Sequence, residues 1–398
     1  MSDSHTVIVS AVRTPIGKFG GKLKSFRSFM LAGIVMNEAI QRAGIPSSII
    51  DDIVFGECLQ HPAEANTART AALHAGIPSE VPAVTIQRQC ASGMQSVIQG
   101  SQSIGSRDAD VVLAGGVESM SNAAYYLDSA RWGKRLQHGE MTDAVWELLY
   151  SGSRVLHQPM IMGETAELLA EKYGITRDQQ DEIALRSHAN AENATRQGRF
   201  KDEIIPVDIP EKKCMERFDC DENPRFGMNI DDLRRMQPAF RDGGTVTAGN
   251  SSSLNDGAAA MVLMVESKAR ELRITPLARI LSHAVAGVEP RSMGYGPVPA
   301  TRKVLKKAGL ALKDIGLVEL NEAFASQYLV CEKELGLDRQ ITNPNGSGIG
   351  LGHPVGSTGA RLIVSLLYEM KKRKTALGLA TLCVGGGMGA AVILENVD

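Results

Sequence analysis

Hydrophobic and polar positions along this chain switch between two periods. Leu31 to Arg42 and Thr301 to Lys307 repeat apolar residues at helical spacing, and so do Glu164 to Tyr173 and Arg177 to Gln197. Between such segments lie short, nearly continuous apolar runs, among them Val111-Val-Leu-Ala-Gly-Gly and Gly257-Ala-Ala-Ala-Met-Val-Leu-Met-Val. Runs of this kind, bounded by glycine, predict strands buried on both faces of a sheet. Thr375 to Leu394 is twenty residues without a charge, long enough to span a bilayer, but five of them are glycine and three of those are consecutive at 385–387. A strand, a glycine turn and a second strand explain it better than a membrane helix.

The pattern also repeats itself. Ala43-Gly-Ile-Pro-Ser-Ser-Ile-Ile-Asp-Asp-Ile-Val-Phe and Ala308-Gly-Leu-Ala-Leu-Lys-Asp-Ile-Gly-Leu-Val-Glu-Leu stand 265 residues apart. Each follows a helical segment, carries glycine where the helix would be capped, and enters a strand. Downstream, Cys90 and His353 each open a helical pattern after an apolar run. Val111-Val-Leu-Ala-Gly-Gly then parallels Thr381-Leu-Cys-Val-Gly-Gly, and the run from Gly257 parallels the run from Gly389. In the second half the last two strands need only a short glycine turn. In the first half residues 117–255 separate them, too many for a loop in a compact domain. The expectation is two duplicated α/β halves, 1–120 plus 250–272 and 273–398, with a mostly helical loop domain at 121–249 inserted in the first.

Composition narrows the function classes. A chain of 398 residues, 43% hydrophobic and 22% charged, has the make-up of an ordinary globular protein, and a net charge of −2 offers no field for nucleic acid. Lys371-Lys-Arg-Lys374 reads as the basic end of a helix. The six cysteines (58, 90, 214, 220, 331 and 383) include no Cys-x-x-Cys pair, and no spaced histidines complete a metal set, so no metal is expected. Free thiols, and termini without a recognisable targeting pattern, suggest a reducing, cytoplasmic setting.

Two cysteines and a histidine, each set among glycines, suggest acyl-thioester chemistry. Cys90 taken alone reads equally as a thiol activated at a helix N-terminus or as a packed core cysteine. His353 lies among glycines 346, 348, 350, 352, 356 and 359, which leave backbone open to a substrate. No Gly-Lys-Ser/Thr follows, so this is not a phosphate-binding P-loop. Cys383 precedes three glycines whose N–H groups could form an oxyanion hole, and a thiol there can move a proton to or from carbon. Taken alone, Cys383 reads as core. The duplication places Cys90 and His353 at equivalent strand-to-helix junctions, with Asn321 and Cys383 at strand ends, where α/β proteins gather ligands. The polar run from Ala248 reads either as a turn or as a surface for an extended polar ligand. The methionines at 160, 162, 228, 236 and 293 suit a core, and His157 and His188 suit structural roles.

Six segments in order resemble the thiolase family along essentially the whole chain. They are Gln87-Arg-Gln-Cys90-Ala-Ser-Gly-Met-Gln, Gly115-Gly-Val-Glu-Ser-Met-Ser, Thr247-Ala-Gly-Asn-Ser-Ser-Ser-Leu-Asn-Asp-Gly-Ala-Ala, Asn321-Glu-Ala-Phe-Ala, Gly352-His353-Pro-Val-Gly, and Cys383-Val-Gly-Gly-Gly-Met-Gly. The resemblance implies a five-layered α/β/α/β/α fold and reversible Claisen condensation and thiolytic cleavage of 3-ketoacyl-CoA through an acyl-cysteine. It implies Cys90 as nucleophile, His353 as its activator, Cys383 as acid and base, and a water held by Asn321 in one oxyanion hole. The N–H groups of Cys90 and Gly385 would form the other. It further implies coenzyme A contacts at Arg225, Ala248, Ser252, Ala323 and Phe324, and an acyl pocket walled by Met162, Phe240 and Met293. Coenzyme A and acetyl-CoA would be substrates, with no cofactor.

Where the acetoacetyl-CoA subgroup usually carries His-Met-Gly, this chain has Ile161-Met162-Gly163, which argues against strict acetoacetyl-CoA specificity. A degradative thiolase for medium or long 3-ketoacyl-CoA is the alternative. A ketoacyl synthase-like enzyme would carry a second histidine in place of Cys383, and a non-catalytic acyl-binding relative would not need all three groups. A homodimer or homotetramer is expected, with 125–139 as a candidate tetramerisation loop, and no membrane or nucleic-acid partner.

Overall fold

The computed structural model describes residues 5–136, 138–151, 159–210 and 214–397; His157 lies outside them. In the first half, strands β1 (Thr6–Arg13), β2 (Asp52–Gly56), β3 (Ala83–Ile86), β4 (Val111–Ser119) and β5 (Asn255–Val265) lie in the order β1-β5-β4-β2-β3. In the second, β6 (Ala278–Gly287), β7 (Leu317–Leu320), β8 (Leu377–Val384) and β9 (Met388–Glu395) lie in the order β6-β9-β8-β7, and Thr342 adds a single parallel bridge beyond β7.

The two orders are one order. In each half the first strand pairs antiparallel with the last, the last antiparallel with its predecessor, and the outer pairs run parallel. Even the irregularities match: β1 carries a bulge between Ile8 and Ser10, and β6 between Ile280 and Ser282. The halves meet where β1 pairs β6 antiparallel through Val7–Arg279 and Ile8–Ala278.

Helices make three layers about the strands. The middle layer is α2 (Ser92–Ser106) against α7 (Val355–Arg373), and every residue of α7 from Val355 to Leu367 is buried. Residues of both helices join residues of β4, β5, β8 and β9 in one core. The outer layers are α1 (Ser28–Ala43) on the first half, and α5 (Pro297–Ala308) with α6 (Ala325–Leu335) on the second, each over its own apolar cluster. The repeated glycines cap α1 and α5 as expected: Gly44 at φ 66° and Gly309 at φ 69° take the left-handed conformation that glycine adopts without strain.

The excursion between β4 and β5 contributes α3 (Met162–Tyr173) and α4 (Arg177–Arg196). It is tied to the first half by a buried ion-pair cluster. Arg13 of β1 donates from Nε to Glu203 at 2.6 Å and from its two terminal nitrogens to Asp221 at 2.7 and 2.9 Å.

Candidate active site

Glycine brings the two central helices to backbone contact at their N-terminal ends. A Cβ on Gly93 would stand 2.8 Å from the Gly356 carbonyl oxygen, and one on Gly359 would stand 2.4 Å from the Met94 nitrogen. Such distances lie inside van der Waals contact, so only glycine permits this crossing. Cys90 precedes α2 and His353 precedes α7, so the crossing carries both toward one cavity. Cys90 is 3% exposed and His353 6%.

That cavity, about 150 Å³, is lined by Cys90, His353, Met162, Phe240, Met293, Ser252, Ala323 and Phe324, all singled out from the sequence. Leu148, Leu149 and Ile161 of the excursion complete an apolar wall. Cys383, one residue from the end of β8, is fully buried in the cluster of Met162, Ala166, Val246, Met293, Ala323 and Phe324 behind the cavity.

The backbone next to Cys90 is held in an unusual shape. Gln89 has φ 45°, a left-handed conformation that costs a non-glycine residue energy and clusters at functional sites. Its carbonyl accepts from the Ser92 hydroxyl at 2.7 Å and from the Cys58 thiol at 3.1 Å. Burial pushes the Cys90 thiol up to about 11, while the N–H groups of Gly385 and of Cys90 itself bond to the sulfur and pull the other way. Desolvation therefore outweighs the helix-end effect expected from sequence. Burial, and the charge a Cys90 thiolate would carry, push the Cys383 thiol well up.

Burial and the nearby charge of Arg361 push His353 down to about 3, so its ring is neutral at physiological pH. The Thr358 hydroxyl donates to the Pro354 carbonyl at 2.8 Å, so its oxygen accepts from His353 Nδ1 at 2.7 Å. Nε2 is thereby left as a proton acceptor. The His353 backbone N–H donates to Asn255 Oδ1 at 2.8 Å, which anchors the loop at Gly352, where φ is 106°.

Asn321 follows β7, is fully buried, and neither atom of its amide bonds to protein. A Cβ on Gly348 would stand 2.7 Å from its Oδ1. A buried amide without a protein partner fits a small polar ligand. Gly385 has comparably little room, since a Cβ there would meet Met162 Cε at 2.6 Å.

The other expected contacts fall on two strips. Ser252 N–H donates to the Ala323 carbonyl at 2.9 Å, Ser251 bridges Phe324, and Ala325 N–H donates to Asn250, so the loop from exposed Ala248 is laced to the segment after Asn321. Arg225 is exposed and does not line the cavity; its N–H donates to His188 Nδ1 at 3.3 Å. Burial and Arg225 hold His188 down at about 4, in keeping with a structural, neutral acceptor.

Sequence reasoning missed Thr358, Glu118, Leu148 and Leu149. Glu118 and Thr358 were visible only as polar residues inside or just after the quoted segments. Leu148 and Leu149 carried no signal.

A buried thiol and a neutral imidazole poised as acceptor at one apolar cavity, with a second thiol in the cluster behind it, form the site of an acyltransferase. The thiolase N-terminal domain matches residues 6–267 and the thiolase C-terminal domain residues 274–396. The chain belongs to the thiolase family. It is 48% identical over 395 residues to an acetyl-CoA acetyltransferase of Syntrophomonas wolfei, covering 98% of this chain and 99% of that one. Among solved structures, the Bacillus anthracis acetyl-CoA acetyltransferase superposes with a TM-score of 0.96 at 52% identity, covering 99% of each chain. Human mitochondrial 3-ketoacyl-CoA thiolase in complex with CoA superposes with a TM-score of 0.95 at 40% identity, covering 100% of this chain and 99% of that one.

Proposed function

We propose that the chain catalyses the reversible transfer of an acetyl group between two acetyl-CoA molecules, giving acetoacetyl-CoA and CoA, and the thiolysis of short 3-ketoacyl-CoA in reverse. The observation that carries this reading is the meeting of Cys90 and His353 at one apolar cavity, with Cys383 buried in the cluster of Met162, Met293, Ala323 and Phe324 that helps to line it.

In condensation, the Cys90 proton passes to His353 Nε2 and the sulfur attacks the acetyl-CoA carbonyl. CoA leaves as the thiol, taking that proton, and the acetyl group stays on Cys90. Cys383 then removes a proton from the methyl carbon of a second acetyl-CoA. The enolate attacks the acetyl-Cys90 carbonyl, the new C–C bond forms, the C–S bond breaks, and the proton taken up by Cys383 passes to the freed Cys90 sulfur, which restores both groups. The N–H groups of Cys90 and Gly385 point at the sulfur side of the site, where the acyl oxyanion would develop, and each such donor contributes about 10²–10³ in rate. Asn321, through a water, and His353 would bind the thioester oxygen of the enolate.

Met162, Phe240 and Met293 wall the acyl end, with Ile161 and Leu148 beside them. The names of the bacterial relatives support a short acyl group. Ser252, Ala323 and Phe324 line the cavity with Cys90, and Ala248 begins the loop that carries Ser252, which supports their assignment to coenzyme A; Arg225 is assigned there by the resemblance alone, and no step requires a cofactor.

Among the described residues no helix is long and apolar enough to cross a membrane, and all six cysteines are unpaired. Unpaired thiols support a cytoplasmic setting. A dimer or tetramer is supported by an exposed apolar loop: Tyr125–Tyr126 pairs Thr142–Asp143, and between them Trp132 is 84% exposed and Leu136 fully so.

The test is to incubate the protein with acetoacetyl-CoA and free CoA and follow the thioester absorbance. Loss of signal with acetyl-CoA as product is expected; no loss with any chain length sinks the reading.

A further inference from the structure

We propose that Glu118 is a positioning residue for this reaction: its one carboxylate clasps the turn that supports Cys90 and the helix start that supports His353, and so sets the spacing of nucleophile and base. The inference rests on the roles proposed above for those two residues.

Glu118 stands in β4, one residue from its end, with no exposed surface. Its Oε1 accepts from the Leu59 N–H at 3.0 Å, and its Oε2 accepts from Cys58 N–H at 3.2 Å and Gly356 N–H at 2.8 Å. The first two donors belong to the first half of the chain and the third to the second half. On the first side the clasp continues to the nucleophile. Gln87 Nε2 donates to the Cys58 carbonyl at 3.2 Å, and the Cys58 thiol donates to the carbonyl of strained Gln89, the residue before Cys90. On the other side Gly356 lies three residues beyond His353. A Cβ on Gly356 would stand 2.9 Å from Glu118 Oε2 and 2.8 Å from Glu57 Cα, so the missing side chain is what lets the carboxylate reach. Bonds from N–H groups to an ionised carboxylate are about twice as strong as neutral ones.

The titratable groups facing Glu118 are mostly acids. Glu57 and Cys58 follow β2, Cys90 precedes α2, and His353 precedes α7, whose Gly356 N–H bonds to Glu118, while Asp256 on β5 pairs with Ser119 and turns its carboxylate to Ser121 on the opposite face. Arg361, further along α7, faces Glu319 at 3.8 Å instead. Burial holds Glu118 up at about 7 against its three N–H donors, and burial with the Glu118 charge holds Glu57 at about 8. Below neutrality the clasp gains a proton, weakens as an acceptor and loosens both loops. His353, held near 3, does not titrate there.

The experiment compares wild type with Glu118→Gln and Glu118→Asp for Cys90 acetylation rate, KM, pH profile and alkylation by iodoacetamide. In Glu118→Gln the acetylation rate should fall by on the order of 10–100-fold, as expected for a small misplacement of reacting groups. KM should stay within about twofold, since the cavity wall is untouched. Alkylation should persist, and the acid limb of the profile near pH 7 should vanish. Glu118→Asp should keep the limb and recover part of the rate. A Glu118→Gln enzyme that acetylates at the wild-type rate, or keeps the limb, overturns the inference. Should neither variant fold, wild type alone decides. A carboxyl limb holds its position as assay temperature changes, whereas an imidazole limb that falls with warming overturns the inference. Wild type that takes no acetyl group from acetyl-CoA overturns the functional reading and this inference together. Acetylation of wild type with an indifferent Glu118→Gln overturns this inference alone.

Discussion

The Nδ1 nitrogen of His353 lies 2.7 Å from Thr358 Oγ1, whose own proton is committed to the Pro354 carbonyl. This pair decides which ring nitrogen can take the Cys90 proton. Thr358→Val removes the acceptor and frees the ring to adopt either tautomer. The acetylation rate should fall at least about tenfold, within the range general-base catalysis contributes, and Thr358→Ser should restore it. A Thr358→Val enzyme with wild-type pre-steady-state acetylation would disprove the tautomer assignment.

Stability should rise as pH falls from alkaline values and level off below about pH 6.5. Glu57 and Glu319 are held at about 8, Glu118 at about 7 and Asp256 at about 6, each chiefly by burial, against 4.5 or 3.8 in an open chain. An acid with a raised pKa makes the folded state bind more protons, so stability rises as pH falls from alkaline values through the folded pKa. His188 and His283 are held at about 4 and His353 at about 3, again chiefly by burial, against 6.5. A lowered histidine pKa has the opposite consequence: below about 6.5 the unfolded state takes up the protons and stability falls. Urea denaturation should therefore show stability rising as pH falls from alkaline values through about 7, and flattening below about 6.5, where the three histidines oppose the four acids. A stability that climbs steadily to alkaline pH would contradict these shifts.

The glycine crossing supplies a matched pair of variants. Gly359→Ala would drive a methyl group into the Met94 backbone, and rigid overpacking of this kind costs about 1–3 kcal/mol. Because the same crossing aims Cys90 and His353, activity should fall along with Tm. Gly105→Ala, near the end of α2, meets nothing within 4 Å and should leave activity intact while adding about 0.4–1 kcal/mol. Equal Tm for the two variants would argue against the close crossing.

Much of this architecture was legible because it is written twice. Ile53 and Val318 enter equivalent strands, Gly44 and Gly309 cap equivalent helices, and the apolar pair around 385–387 forms the expected hairpin. One strand faded in the second copy: the partner of β3 survives only as the Thr342 bridge, and no run of apolar residues announced it. Cys90, His353, Cys383 and Asn321 could be found because their neighbours are glycines and strand ends. Leu148 and Leu149 could not, since each reaches the cavity from an excursion that has no counterpart in the second half and neither falls in a segment with a recognisable pattern. Glu118 escaped for another reason. Its partner Gly356 lies 238 residues away, and a hydrogen bond to a backbone N–H leaves no mark on the composition of either segment.

The second thiol has its own test. Cys383→Ser should still accept an acetyl group on Cys90, but should lose the exchange of acetyl-CoA methyl protons with deuterated solvent. A serine hydroxyl is far too weak an acid to shuttle that proton. Proton exchange at the wild-type rate in Cys383→Ser, followed by NMR, would reassign the acid–base role.

The most direct measurement is peptide mass mapping after brief incubation with acetyl-CoA and no free CoA. One acetyl group on the peptide that carries Cys90, in wild type and in Cys383→Ser, and none in Cys90→Ser, is the predicted result. An acetyl group on any other residue, or an acetylated Cys90→Ser protein with undiminished turnover, would contradict the account.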